Sequence, residues 1–217
     1  MYILSIFGNL WIYKILSESL IAFILLVFAS ITLIRNRMLL FIISFIALIL
    51  LGLSSFEVTS FKPTNDEIRV RDERLSVYPP DLLQIGYYLE AKPEVVKLRK
   101  ITRNFLAQLD LNLYFFAGHP RERIGVDEYE KFPYILLPIF LIGLFFEIKE
   151  KNKILLLFFI PLLVTALDKN QTDNFALFPF FAMTIFLGLT KLPKKYFYVF
   201  IAVYLLVMVQ VISYEIY

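Results

Sequence analysis

The chain reads as an all-α integral membrane protein, with about six transmembrane helices and one extracytoplasmic polar module that contains an amphipathic interfacial helix. Three observations predict this. Hydrophobic residues make up 59% of the sequence and mean hydropathy is +0.70, above the ~45–50% apolar share of ordinary globular chains. The apolar residues are contiguous, in runs long enough to approach the ~20 residues that cross ~30 Å of hydrocarbon. Between two such groups, residues 57–131 hold most of the charges and the single His. The chain thus divides into 1–56 (an N-terminal interfacial segment and two spans), 57–131 (the polar module) and 132–217 (a C-terminal bundle).

Met1–Tyr13 is apolar and aromatic around Trp11, which predicts an interfacial segment or a re-entrant stub. Ile15–Ile34 follows as the first span, with Glu18 as its one charge, and Met38–Phe56, without charge, is the second. The basic turn Arg35-Asn36-Arg37 joins them. Neither run has the basic start and small-residue cleavage site of a signal peptide. Beyond the module lie Tyr134–Ile148, Ile154–Leu167, Phe175–Leu189 and Tyr196–Tyr214. Ile154–Leu167 falls short of the ~17-residue lower bound for a span. It is counted as spanning, whether tilted, thinned or paired with Phe175–Leu189 as a helical hairpin, because the loops then alternate in charge. Pro138 and Pro161 read as ordinary kinks.

The turns around Arg35 and Arg37, around Lys149, Lys151 and Lys153, and around Lys191, Lys194 and Lys195 are basic, whereas Asp168–Asn174 is net acidic. The positive-inside tendency puts the three basic turns in the cytoplasm. The module, the acidic turn and both termini then lie outside a plasma or cytoplasmic membrane.

Within the module, Glu57–Arg74 mixes charges around β-favouring Ile68 and Val70, predicting a short strand or extended loop. Leu75–Lys92 carries Pro79-Pro80 and then an apolar, Tyr-rich turn. Glu94–Leu113 repeats apolar residues at helical spacing, from Val95 through Leu98, Ile101 and Phe105 to Leu109. Pro93 suits its first turn and Glu94 its positive dipole end. Lys97, Arg99, Lys100 and Arg103 crowd its first half, so it reads as a helix in the headgroup plane or as one packed on the module. The aromatic run Tyr114-Phe115-Phe116 then enters Gly118-His119-Pro120-Arg121-Glu122-Arg123. Its imidazole and two guanidiniums suit a lipid phosphate, which the planar Arg fork matches bidentately. The bland reading is a solvated loop paired with Glu122, Asp127 and Glu128. Asp66-Glu67, Asp72-Glu73 and Asp127-Glu128 are weak candidates for acid/base work, and Asn170-Gln171-Thr172 fits a glycosylation triplet.

Without cysteine, disulfides, thiolate metal sites and thiol nucleophiles are excluded, and a single His excludes a His-rich metal site. A net charge of +3 is too small to predict nucleic acid binding. No cofactor is predicted. A transporter or channel reading is set aside because the spans hold almost no ionisable residue beyond Glu18.

From about Arg103 to Leu189 the chain resembles the C-terminal part of the GT-C membrane glycosyltransferases, which use dolichyl-phosphate-mannose or polyprenyl-phosphate donors. The resemblance rests on Asn104–Phe116, on the Gly118–Arg123 turn, on the span carrying Pro138 and Gly143, and on the hairpin closing at Asp173–Leu189. Arg123 matches the family's Arg, whereas His119 stands where the family usually has Asp. The resemblance implies a site for a polyprenyl-phosphate-linked sugar or glycan at the outer face, formed by His119, Arg121, Arg123 and Arg103. Were the chain to transfer a hexosyl group, an acid would deprotonate the acceptor while basic residues stabilised the departing lipid phosphate. The family keeps its acidic motif in an N-terminal half that this sequence lacks, which implies binding in place of catalysis, or a protein partner that supplies the catalytic half. The alternative is a non-enzymatic assembly subunit whose outer module docks a protein.

Overall fold

A computed structural model describes residues 1–53, 65–116, 130–150, 154–167 and 175–216. In chain order the helices are α1 (Tyr2–Phe7), α2 (Leu10–Glu18), α3 (Leu20–Ile34), α4 (Met38–Leu53), α5 (Asn65–Ser76), α6 (Leu83–Glu90), α7 (Pro93–Gln108), α8 (Asn112–Phe115), α9 (Leu136–Lys149), α10 (Ile154–Ala166), α11 (Phe178–Lys191) and α12 (Lys194–Ile216). Short 3-10 turns occupy Pro80–Leu82 and Phe175–Leu177. The described residues are therefore all-α. Among them no helix is long and apolar enough to cross a membrane. The apolar helices α3, α4, α9 and α11 have 15, 16, 14 and 14 residues, or about 21–24 Å at the α-helical rise, against ~30 Å of hydrocarbon.

Two sequence expectations are corrected. Ile15–Ile34 is not one helix: it breaks at Ser19, whose backbone is extended and whose hydroxyl accepts the Ala22 N–H at 3.2 Å. A serine at an N-cap satisfies one of the orphan donors of a new helix, and this outweighs continuation through it. Residues 65–74 are not a strand or extended loop but belong to α5. The β preference of Ile68 and Val70 is overridden by a run of Arg and Glu, good helix formers, with Arg69 and Glu73 paired at the i,i+4 spacing. Residues 57–64 of that expectation lie outside the described residues.

The helix predicted from Glu94 starts at Pro93 as expected but stops at Gln108. There Asp110 takes over: its carboxylate accepts the Asn112 N–H at 3.0 Å, a local turn that competes with helix continuation. The one-turn α8 then resumes.

The chain forms two compact units. The first comprises Met1–Ser55, Asp110–Pro161 and Asp173–Tyr217. Its centre is the crossing of α9 and α11. A Cβ added at Gly143 would strike the Thr184 carbonyl oxygen, and one at Gly188 the Ile139 carbonyl oxygen. One glycine on each helix thus lets the two backbones touch, the close approach that small residues permit. Met1–Tyr13 is tied into this unit, with Trp11 and Ile12 fully buried. Asn9 caps α2 by accepting the Ile12 N–H at 2.9 Å, and the Tyr204 hydroxyl of α12 donates to the Gly8 carbonyl at 2.7 Å.

The second unit comprises Phe56–Leu109 and Leu162–Thr172. Here α6 packs on the turn before it, where the Tyr78 ring lies so close to Gly86 that a Cβ would come within 2.8 Å of it. Asn104 on α7 is 3% exposed and donates to the Ala166 carbonyl at 3.2 Å.

Candidate functional site

Three places in the described structure carry chemistry. The first is α7, where the sequence puts its basic cluster. The cluster is divided. Arg99 donates to Glu90 at 2.7 Å and to the Leu89 carbonyl at 3.1 Å, and Arg74 reaches the same Glu90 oxygen at 3.5 Å. The Arg99 hydrogen bond holds the Glu90 carboxyl below its usual range, outweighing the opposite push of burial. Lys100 is buried, whereas Lys97 and Arg103 are exposed. Arg103 is the one predicted phosphate-binding residue whose position is described. His119, Arg121 and Arg123 lie outside the described residues. So do Asp127 and Glu128, and the glycosylation triplet. Exposed Asp72 pairs with its half-buried neighbour Arg71 at 2.7 Å and Glu73 with Arg69, surface contacts of the kind that contribute little.

The second place is an aromatic box at the flanks of residues 117–129. The Phe132 N–H donates to the Tyr114 carbonyl at 2.7 Å, and the Trp11 N–H to the Lys131 carbonyl at 3.2 Å. The chain before and after that stretch is therefore joined at one point. Phe132 stacks on Phe178 and Phe181, and Trp11 meets Phe132 and Phe178 edge-on. The Lys131 ammonium stands 5.2 Å from the ring centres of both Trp11 and Tyr114, a cation–π arrangement. Among the described residues the buried Trp11 indole N–H has no hydrogen-bond partner.

The third place is one the sequence reading missed. Glu147 lies in the apolar run Tyr134–Ile148, so Glu18 is not the main ionisable residue of the predicted spans. It is 3% exposed, and the Thr184 hydroxyl lies 3.1 Å from each of its oxygens. The nearby Lys191 is engaged elsewhere, with Glu150 at 3.5 Å and over the Phe146 ring at 4.7 Å. Thr184 also lines an apolar cavity of about 260 Å³ whose other walls are Phe140, Leu144, Ile148, Phe158, Phe159, Phe180 and Phe181. The signal was present in the sequence as one carboxylate inside LLPIFLIGLFFEIK, four residues after Gly143, facing a helix with Thr184 and Gly188 at the same spacing.

No protein-family model, curated protein or solved structure matches this chain.

Proposed function

We propose that this chain is an integral membrane protein similar to the GT-C glycosyltransferases, which holds a polyprenyl-phosphate-linked sugar or glycan at the outer membrane face through Arg103, Arg121, Arg123 and His119. The observation that carries the membrane part is the outward face of the helices. Leu39 is 74% exposed, Leu206 73%, Val209 69% and Leu156 69%, while polar Ser30, Ser44, Thr165 and Thr184 are buried. Isolated exposed hydrophobics are ordinary, but apolar faces this extensive mark a membrane or an interface. The short helices fit a locally thinned bilayer, a modest cost per ångström of mismatch.

The phosphate part rests on Arg103, an exposed residue beside exposed apolar Leu98 and Leu106 on α7, the mixed face that a helix shows to lipid headgroups. The assembly-subunit reading is favoured by one observation. Val77, Leu82, Leu83, Ile85, Tyr87 and Leu89 are all exposed on and before α6, a surface that a protein partner would also cover.

The test is binding of farnesyl phosphate to the purified chain in neutral liposomes, with inorganic phosphate as the headgroup-only control. Arg121→Ala with Arg123→Ala should weaken binding at least tenfold, because each bidentate Arg–phosphate pair is charge-assisted, and Arg103→Ala should weaken it further. Equal binding by wild type and variants sinks the phosphate reading. Copurification of a stoichiometric protein partner, without lipid binding, establishes the assembly reading instead.

A further inference from the structure

We infer that the phenylalanine-lined cavity of the first unit is a binding site for a hydrophobic organic ammonium, with Glu147 as its counter-charge. The walls are unusual in their uniformity. Five of the lining residues are phenylalanines, and the one polar lining residue is Thr184. A cavity of this kind stays dry unless a polar group holds water there, and an apolar pocket with a single polar anchor is the usual form of a small-molecule site. The anchor specifies the ligand's charge. Thr184 donates its one proton to Glu147, so its hydroxyl oxygen has lone pairs with which to accept and no proton left to donate. Behind it lies a carboxylate that is almost wholly buried, with a hydroxyl for a partner and, among the described residues, no ion pair, while Lys191 is held by Glu150 and Phe146. A buried acid in an apolar bundle is costly and marks a functional site unless it is structurally compensated.

Phenylalanine faces are themselves weakly negative and attract ammonium groups, the principle of aromatic cages. The rings and the hydroxyl oxygen of the lining residues and, one hydrogen bond behind Thr184, the Glu147 carboxylate all carry the same sign. An anionic or strongly hydrated ligand has nothing here to receive it. The mouth is open: Ile148 is 61% and Phe159 46% exposed, so a ligand dissolved in an apolar phase reaches the site without unfolding the bundle. Gly143 and Gly188 fix the α9–α11 crossing, so Glu147 and Thr184 are held in register on two helices rather than on mobile loops.

The probe is benzyltrimethylammonium, which carries a ring and a cation and fits the volume. Neopentylbenzene, its neutral carbon isostere, is the comparison. Calorimetric titration of the full chain in nanodiscs of neutral lipid, with empty nanodiscs subtracted, should give saturable one-to-one binding of the cation. Glu147→Gln should weaken it at least tenfold, while the neutral isostere should bind wild type and variant alike. Phe159→Ala, at the half-exposed mouth, should weaken the cation several-fold. This second variant decides the matter if Glu147→Gln does not fold. The inference fails if the cation shows no saturable binding, if Glu147→Gln keeps wild-type affinity, or if a folded Phe159→Ala binds as tightly as wild type.

Discussion

Trp11 is the single tryptophan of the chain and carries a buried indole N–H without a partner among the described residues. Its worth to the fold lies in its ring, which packs against Tyr114, Phe132, Phe178 and Phe181, whereas its N–H costs free energy. Trp11→Phe should therefore leave stability within about 1 kcal/mol of wild type, because ring contacts are kept and an orphan donor removed. Trp11→Ala should cost about 3–5 kcal/mol for the cavity it leaves. Denaturant unfolding in a membrane mimetic reads both, and equal losses for the two variants would show that the N–H has a favourable role. At this scale the sequence marked the basic residues but misplaced their emphasis. Arg99 and Lys100 looked like headgroup contacts, yet one is bound to Glu90 and the other is buried. Glu147 was overlooked because composition counts an acid in a hydrophobic run as an exception. Its meaning comes from Thr184, a partner 37 residues away that no local pattern joins to it.

At the scale of elements, the α9–α11 crossing is the tightest contact the structure offers for a prediction. Gly143→Ala and Gly188→Ala would each force a methyl group into a carbonyl of the facing helix, a backbone atom that cannot rotate away. Overpacking of this kind typically costs 1–3 kcal/mol; here the upper part of that range is expected, with the double variant worse than either. Gly52→Ala is the control, since its Cβ would stand 3.5 Å from the Phe175 ring, an ordinary contact. Unfolding midpoints that move equally for all three would refute the close crossing. The apolar helices themselves were legible in the chain: within the described residues, Met38–Phe56, Tyr134–Ile148, Ile154–Leu167 and Tyr196–Tyr214 each correspond to one helix, and Phe175–Leu189 to a 3-10 turn followed by α11. What failed was the reading of interruptions. Ser19 at the start of α3 and Asp110 before α8 are short polar residues that bond to nearby backbone, and such residues end helices inside runs that hydropathy treats as continuous. The helix α5 was misread for the opposite reason, since two β-branched residues were weighed above the charged helix formers around them.

At the scale of the first unit, the direction of the helices bears on the membrane reading. Glu150 and Lys191 meet at 3.5 Å, so α9 and α11 finish at the same end. Gly52, late in α4, lies by Phe175, and Phe45 lies edge-on to Phe180 at 5.4 Å, so α4 runs against α11 and begins at that end as well. The turns carrying Arg35 and Arg37, Lys149, and Lys191 with Lys194 and Lys195 are thus gathered at one end. A bilayer with a cytoplasmic excess of Lys and Arg would account for this sorting. The chain has no cysteine, so single introduced thiols report position cleanly. Met38→Cys and Thr190→Cys should react with a membrane-impermeant maleimide only from the cytoplasmic side, and Tyr134→Cys, at the start of α9 and 41% exposed, only from the outside. Labelling of all three from one face, in intact cells, would mean that the apolar faces are covered by protein and not by lipid. Reaction of Met38→Cys and Thr190→Cys from opposite faces would contradict the shared end that the Glu150–Lys191 pair and the Gly52–Phe175 contact define.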